Sequence, residues 1–218
     1  MLFRILHDEK SGDLSYLLAD AQSREAVLVD PHSRDLPVVH ALLADLRLRL
    51  RWVLRTHQHD DVQPTEFALL CRLQAPVLQG EARQGANKGL HHQRLAFGRE
   101  SVTVLATPGH TRNCLSFIWR DRVFVGGLLV ADACPVQPIP AAPEALWDSV
   151  TERVFTLPDE TLLFSGHERR ARAVSTVMEQ RRWHPLFAGG SRDDYLARLA
   201  ALSAPHAANA QTLSESHS

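Results

Sequence analysis

Five side chains in this sequence have the types and spacing for metal chemistry: His57, His59 and Asp61 in one short stretch, His110 further on, and His167 beyond it. In extended backbone, residues i and i+2 point the same way. His57 and His59 therefore offer two imidazoles to one ion, with Asp61 next on that side. Spacing alone carries little weight, because twelve histidines in 218 residues give roughly 0.6 His-x-His pairs by chance. Position carries more. Trp52 to Thr56 precedes His57, Val102 to Ala106 precedes Thr107-Pro108-Gly109-His110-Thr111, and Leu162 to Phe164 precedes Ser165-Gly166-His167-Glu168. Each histidine segment thus follows a run of strand-forming residues, and loops at strand ends are held by a rigid sheet while staying open to ligand.

The elements that must position these residues follow from periodicity. Leu14 to Ala19 and Glu25 to Asp30 read as the first two strands, the second stopped by Asp30-Pro31. Leu36, Val39, Leu42, Leu43 and Leu46 recur at helical spacing. The stretch from Pro64 to Leu73 reads as a helix with proline in its first turn. Further strands are predicted at Cys114 to Arg120 and Val123 to Val125, joined by a polar turn. A helix from Pro143 to Phe155 precedes the strand at Leu162, and helices over Arg169 to Arg181 and Arg192 to Leu202 close the fold. Alternating strands and helices of this kind predict an α/β protein. One domain over residues 1–202 is expected, with a flexible tail over 203–218, where periodicity stops.

Composition narrows the function classes. The formal charge is −1, with Lys and Arg dispersed, which predicts neither a nucleic-acid partner nor an anionic membrane surface. Cys71, Cys114 and Cys134 form no Cys-x-x-Cys pair, so no disulfide framework is expected. The opening Met1 to Asp8 is charged, unlike a signal peptide, and no apolar run is long enough to span a bilayer. These features predict a cytoplasmic protein, with a homo-oligomer left open.

The order and separation of the histidine segments resemble the metallo-β-lactamase superfamily, whose pattern is Thr-His-x-His-x-Asp-His, a Pro-Gly-His turn, Gly-Asp, and then Gly-His. Within it the chain resembles the persulfide (sulfur) dioxygenases and, a step further, the glyoxalase II hydrolases. The likeness runs over roughly residues 2 to 200. It includes Leu14 to Asp20, Val27 to Pro31, Thr107 to Thr111, and Gly166-His167-Glu168 followed by a charged helix and His184-Pro185. The resemblance implies an αββα sandwich of two mixed sheets flanked by helices. It also implies that His57, His59 and His110 hold a first metal while Asp61 and His167 belong to a second. In the dioxygenases one iron is held at the positions of His57 and His110 together with an aspartate.

Two positions depart from the pattern. Val62 replaces the last histidine of the first motif, and Gly127 replaces the aspartate of Gly-Asp. Two histidines and a carboxylate suit oxygen-activating iron(II), so Gly127 removes the carboxylate that chemistry needs. A two-metal mechanism loses its bridging group. What remains is a three-imidazole set of His57, His59 and His110 for one zinc or iron ion, with Asp61 as the candidate catalytic base. Asp132 is a possible substitute ligand that nothing in the sequence points inward. Downstream, Ala133-Cys134-Pro135-Val136 stands where the dioxygenases have a Gly-Cys-Gly-Arg turn, which removes a positive charge suited to a glutathione carboxylate.

Plainer roles compete at several positions. Asp61 and His167 also read as helix-capping or surface hydrogen-bonding groups. His91 and His92, adjacent in extended chain, would point apart and read as loop histidines. His7, His32, His40, His184, His206 and His217 carry no functional expectation, Cys134 reads as a small buried residue, and Asp30 as a group that orients a neighbouring loop. The expectation is an enzyme with reduced or altered mononuclear chemistry on a small thiol-derived substrate, a persulfide or thioester of glutathione type. The alternative is a catalytically inactive scaffold that binds a ligand or a regulatory partner.

Overall fold

Every residue of the strand Leu14–Asp20 is buried, on both of its faces, which is possible only for a strand with packed layers above and below it. The computed structural model describes residues 2–58, 68–81, 86–129, 139–169 and 172–202, and these form two mixed sheets flanked by helices. The first sheet has the order β1 (Leu2–His7), β2 (Leu14–Asp20), β3 (Glu25–Val29), β4 (Arg49–Leu54) and β5 (Val77–Leu78). β1 to β3 run antiparallel, and β3, β4 and β5 run parallel. α1 (Leu36–Asp45) makes the parallel crossover between β3 and β4. The second sheet consists of β6 (Arg94–Phe97), β7 (Glu100–Ala106), β8 (Leu115–Trp119), β9 (Arg122–Gly126), β10 (Leu162–Arg169) and β11 (Arg172–Thr176). It is antiparallel except where β9 meets β10.

The sheets pack through Tyr16, Leu18, Val27 and Leu54 on one side and Phe97, Phe117, Trp119, Phe124 and Phe164 on the other. Each such side chain contributes about 1.5–3 kcal/mol of apolar burial. A second apolar layer places α2 (Pro143–Ser149) and a helix over residues 192–202 on the outer face of the second sheet, through Val123, Val125, Leu146, Val150 and Tyr195. A third covers the first sheet with α1, through Leu17, Leu28, Val39 and Val53. Among the described residues no helix is long and apolar enough to cross a membrane.

Several expectations are corrected. The chain begins with an additional strand, β1, which pairs on one edge only, so its sequence mixes core residues such as Phe3 with exposed ones such as Ile5 and shows no long apolar run. The short strands β5 and β6 were also not anticipated. The helix expected over Arg169 to Arg181 starts only at Val177: residues 172–176 form the edge strand β11, and α3 (Val177–Trp183) begins where the Thr176 hydroxyl accepts from the Glu179 amide at 3.1 Å. The segment Ser165 to Glu168, read as a loop, lies within β10, where the pairing shifts register after Phe164. Of the helix expected over Pro64 to Leu73, residues 64–67 lie outside the described residues, residues 68–70 are helical and Cys71–Leu73 is a 3₁₀ turn. The tail 203–218 lies outside the described residues as well.

Candidate functional site

β4, β7 and β9 end together, and the chain leaving β4 carries the first histidine. The carbonyl of Thr56 accepts a hydrogen bond from the Leu115 amide at 2.7 Å, which ties the end of the first sheet to the second. The Asp30 carboxylate, at the end of β3, accepts from the Thr56 amide and from its hydroxyl, each at 2.7 Å. That hydroxyl is also 2.8 Å from His57 Nδ1. Its single proton is committed to Asp30, so His57 donates Nδ1–H to Thr56 and its lone pair lies on Nε2, the arrangement usual for a histidine that binds metal. Burial raises the Asp30 carboxyl, opposed by the two Thr56 bonds and by the charges of Arg55 and His32. The expectation that Asp30 orients a neighbouring segment is met, and Thr56 is the residue through which it acts.

Gly126 makes this approach possible. Its φ is +56°, and a Cβ there would lie 2.1 Å from Thr56 Oγ1, so a side chain would destroy the bond between Thr56 and His57.

His110 sits in the turn after β7, whose shape depends on contacts from α2 and from the π-helical turn Val150–Val154 that follows it. A Cβ on Gly109 would stand 2.2 Å from Leu146 Cα, the Ser149 hydroxyl donates to the Pro108 carbonyl at 2.7 Å, and Arg153 donates to the Ala106 carbonyl. The His110 ring is buried and its centroid lies 5.0 Å from that of His57. Its Nδ1 is 3.8 Å from Cys114 Sγ, which also meets the Thr111 amide at 3.2 Å.

The ring of His110 also packs on Gly127. A Cβ at Gly127 would be 2.4 Å from His110 Cε1 and 2.6 Å from Nδ1, far inside contact distance. The space a side chain at position 127 would need is therefore filled by the imidazole. No carboxylate is available there to complete a two-histidine iron triad, and the described residues do not fit that group. An imidazole donor set does fit a single zinc ion in kind. Among the described residues no group of three His, Cys, Asp or Glu is disposed to hold a metal ion.

His167, on β10, has its ring centroid 6.1 Å from that of His57. Its Nδ1 is 2.8 Å from the carboxylate of Asp13, in the turn between β1 and β2. Nothing in the spacing of Asp13 had marked it as part of this site. The expected residues His57, His110 and His167 are thus brought together. His59, Asp61, Val62, Asp132, Cys134 and Val136 lie outside the described residues. His91 and His92 are loop histidines as expected, but the reason given for them fails. His92 adopts φ +65° in a turn rather than extended backbone, and the two rings meet with centroids 3.9 Å apart.

No protein-family model matches the chain. It is 35% identical over 193 residues to the mitochondrial persulfide dioxygenase ETHE1 of Homo sapiens, covering 85% of this chain and 75% of that one. It is 32% identical over 163 residues to a hydroxyacylglutathione hydrolase of Fuscovulum blasticum, with 72% of this chain and 62% of that one covered. Among solved structures, ETHE1 from Myxococcus xanthus superposes with a TM-score of 0.81 at 36% identity, over 93% of this chain and 91% of that one.

Proposed function

This chain belongs to the metallo-β-lactamase superfamily, with the persulfide dioxygenases and hydroxyacylglutathione hydrolases, and from that premise we propose that it acts on a small sulfur-containing substrate through reduced or altered mononuclear metal chemistry. The substrate class is a persulfide or thioester of glutathione type. One observation carries the reading: His57 and His110 stand with ring centroids 5.0 Å apart, His57 with its lone pair set on Nε2 by Thr56 and Asp30, while Gly127 offers no carboxylate. Such a donor set suits zinc better than oxygen-activating iron.

In this reading His57 and His110 hold the ion with His59 as third donor. Zinc so bound would supply Lewis acidity toward a thioester carbonyl. The chain's own residues do the rest. Thr56 and Asp30 keep the His57 ring from rotating, the buried His110 turn excludes water on one side, and Asp61 accepts the proton released from water. The experiment is elemental analysis of protein purified without chelator or metal-binding tag, beside His57→Ala. About one equivalent of zinc, lost in the variant, with turnover of a glutathione thioester is expected. Protein without metal and without turnover of thioester or glutathione persulfide would sink the reading.

A second reading is favoured by the seat of His110 on Gly127. A ring occupying the place of a lost ligand is also what a non-catalytic scaffold would have, one that binds a ligand or a regulatory partner. Saturable binding of a glutathione derivative by metal-free, inactive protein would support it.

A further inference from the structure

β6 stops pairing with β7 before β7 ends, and two side chains take over where the backbone leaves off. The last bonds between the two segments run from the His92 amide to the Val104 carbonyl at 2.7 Å and from the Val104 amide to the Gln93 carbonyl at 2.9 Å. Two residues thus oppose one, and the first of them, His92, has φ +65°. This is a β-bulge, which bends the chain away from the ladder. Ala106 faces the same edge as Val104, because backbone groups two residues apart in a strand point to the same side. In place of a backbone partner, its amide donates to His91 Nδ1 at 3.3 Å and its carbonyl accepts from Arg153. Ala106 is buried, so these two bonds spare it the cost of unmet polar groups.

A backbone amide can only donate, so His91 Nδ1 holds a lone pair and the proton of the neutral ring sits on Nε2. A second proton, on Nδ1, would set N–H against N–H and break the bond. The surroundings oppose that proton. Burial disfavours the charged ring, and the charges of His92, whose ring centroid lies 3.9 Å away, and of Arg153 act in the same direction, so the His91 pKa falls below the ordinary 6.5. The other charged groups on the elements around the ring are Lys88 on the 3₁₀ turn Ala86–Leu90, Arg94 on β6, Glu100 on β7 and Glu152 beside Arg153. Arg94 donates to the Ser101 hydroxyl at 2.7 Å, Glu100 is met by Arg120, and Glu152 is exposed.

We propose that His91 is a positioning residue: as a neutral acceptor it closes the free edge of β7 together with Arg153 and so holds the turn over residues 107–111, which carries His110. The bond needs no metal and does not depend on what the His110 ring binds. Because the pKa is lowered in the fold, the bond is complete at neutral pH and is lost as the pH falls below 6.5 through the folded-state value.

The test reads the full chain by nuclear magnetic resonance. Two-bond proton–nitrogen correlation spectra of wild type at neutral pH are expected to show His91 as the Nε2–H tautomer. The Ala106 amide shift is expected to follow the His91 titration, with a midpoint below 6.5. His91→Asn keeps an acceptor, Oδ1, as many bonds from Cα as Nδ1 is, and does not titrate. The Ala106 shift should then lose this pH dependence while its amide stays protected. His91→Ala removes the acceptor, and amide exchange at Ala106 and over residues 109–111 is expected to quicken roughly 2–10-fold, with residues 102–104 unchanged and His91→Asn like wild type. A wild-type ring in the Nδ1–H form overturns the proposal, and so does an Ala106 amide that ignores the His91 titration. Unchanged exchange over residues 109–111 in a folded His91→Ala shows that the bond holds Ala106 alone and also overturns it. Faster exchange throughout β7 that His91→Asn shares marks a general loss of packing and has the same force. Should His91→Ala fail to fold, the wild-type spectra and His91→Asn still decide the tautomer and the titration.

Discussion

His167 and His110 both neighbour His57, yet they are held by different means. His167 is backed by a carboxylate, Asp13, whose own charge is braced by Arg34 and Ser11. The His110 ring rests on Gly127, and its Nδ1 lies 3.8 Å from Cys114 Sγ. On one side polar contacts hold the ring, with His167 Nδ1 2.8 Å from the Asp13 carboxylate. On the other, the ring packs over Gly127 and fills the space that a side chain at that position would need. The two sides show that the room beside a glycine need not stand empty, because a neighbouring ring takes the volume.

The most disruptive way to break this comparison is at Gly127. Gly127→Asp is expected to drive the His110 ring from its seat, to lower stability by about 1–3 kcal/mol through crowding, and to raise iron(II) affinity by supplying the missing carboxylate. Gly127→Ala brings the crowding without the ligand and is expected to lose stability and gain no iron. Urea unfolding together with iron content distinguishes the two, and equal iron content in both would reject the match between Gly127 and the family's aspartate.

Thr56→Val attacks the polar side. It removes the hydroxyl shared by Asp30 and His57, leaves a buried carboxylate oxygen short of a partner, and is expected to cost about 1–3 kcal/mol in a denaturant titration, with weaker metal binding. No change in either would show that the relay does not orient His57. A smaller effect is expected of Tyr16→Phe, which loses the bond from the Tyr16 hydroxyl to the Ser165 carbonyl beside His167. About 1 kcal/mol of stability is at stake, and a larger loss would mean that this bond also holds the register shift in β10.

The smallest effect sharpens the contrast between a carboxylate at the site and one remote from it. Asp20 accepts from the Arg99 amide, the Ser23 hydroxyl and the Gln22 amide, and the first of these does most to hold its pKa at about 2, below the ordinary 3.8. A lowered folded-state pKa adds stability that is complete above 3.8 and is lost as the pH falls toward 2. Asp20→Asn and Asp13→Asn are each expected to flatten the acid side of the melting-temperature profile.

Much of the fold was legible because burial imposes simple periods. The apolar runs at β2, β3, β8 and β9 fill both faces of a packed strand, those of β4 and β7 do so toward their ends, and the spacing of Leu36, Val39 and Leu43 marks a helix lying on a sheet. The edge strands β1, β6 and β11 were not legible, since a strand paired on one side mixes exposed with buried residues and imitates a loop or, at residues 172–176, the start of a helix. Thr176 and Glu179 could have located that helix start, because a threonine followed three residues later by glutamate is a capping signal.

By itself the sequence marked candidate ligands and departures from the family pattern: imidazoles at 57, 59, 110 and 167, a glycine at 127 and a valine at 62. Residue type and order along strands carry that information, and family likeness extends it. Only the tertiary structure decided that His110 lies over Gly127, that Thr56 transmits Asp30 to His57, and that Asp13 reaches His167. Each of these joins segments from different strands or turns, and no local period encodes a contact that exists only after two sheets have packed together.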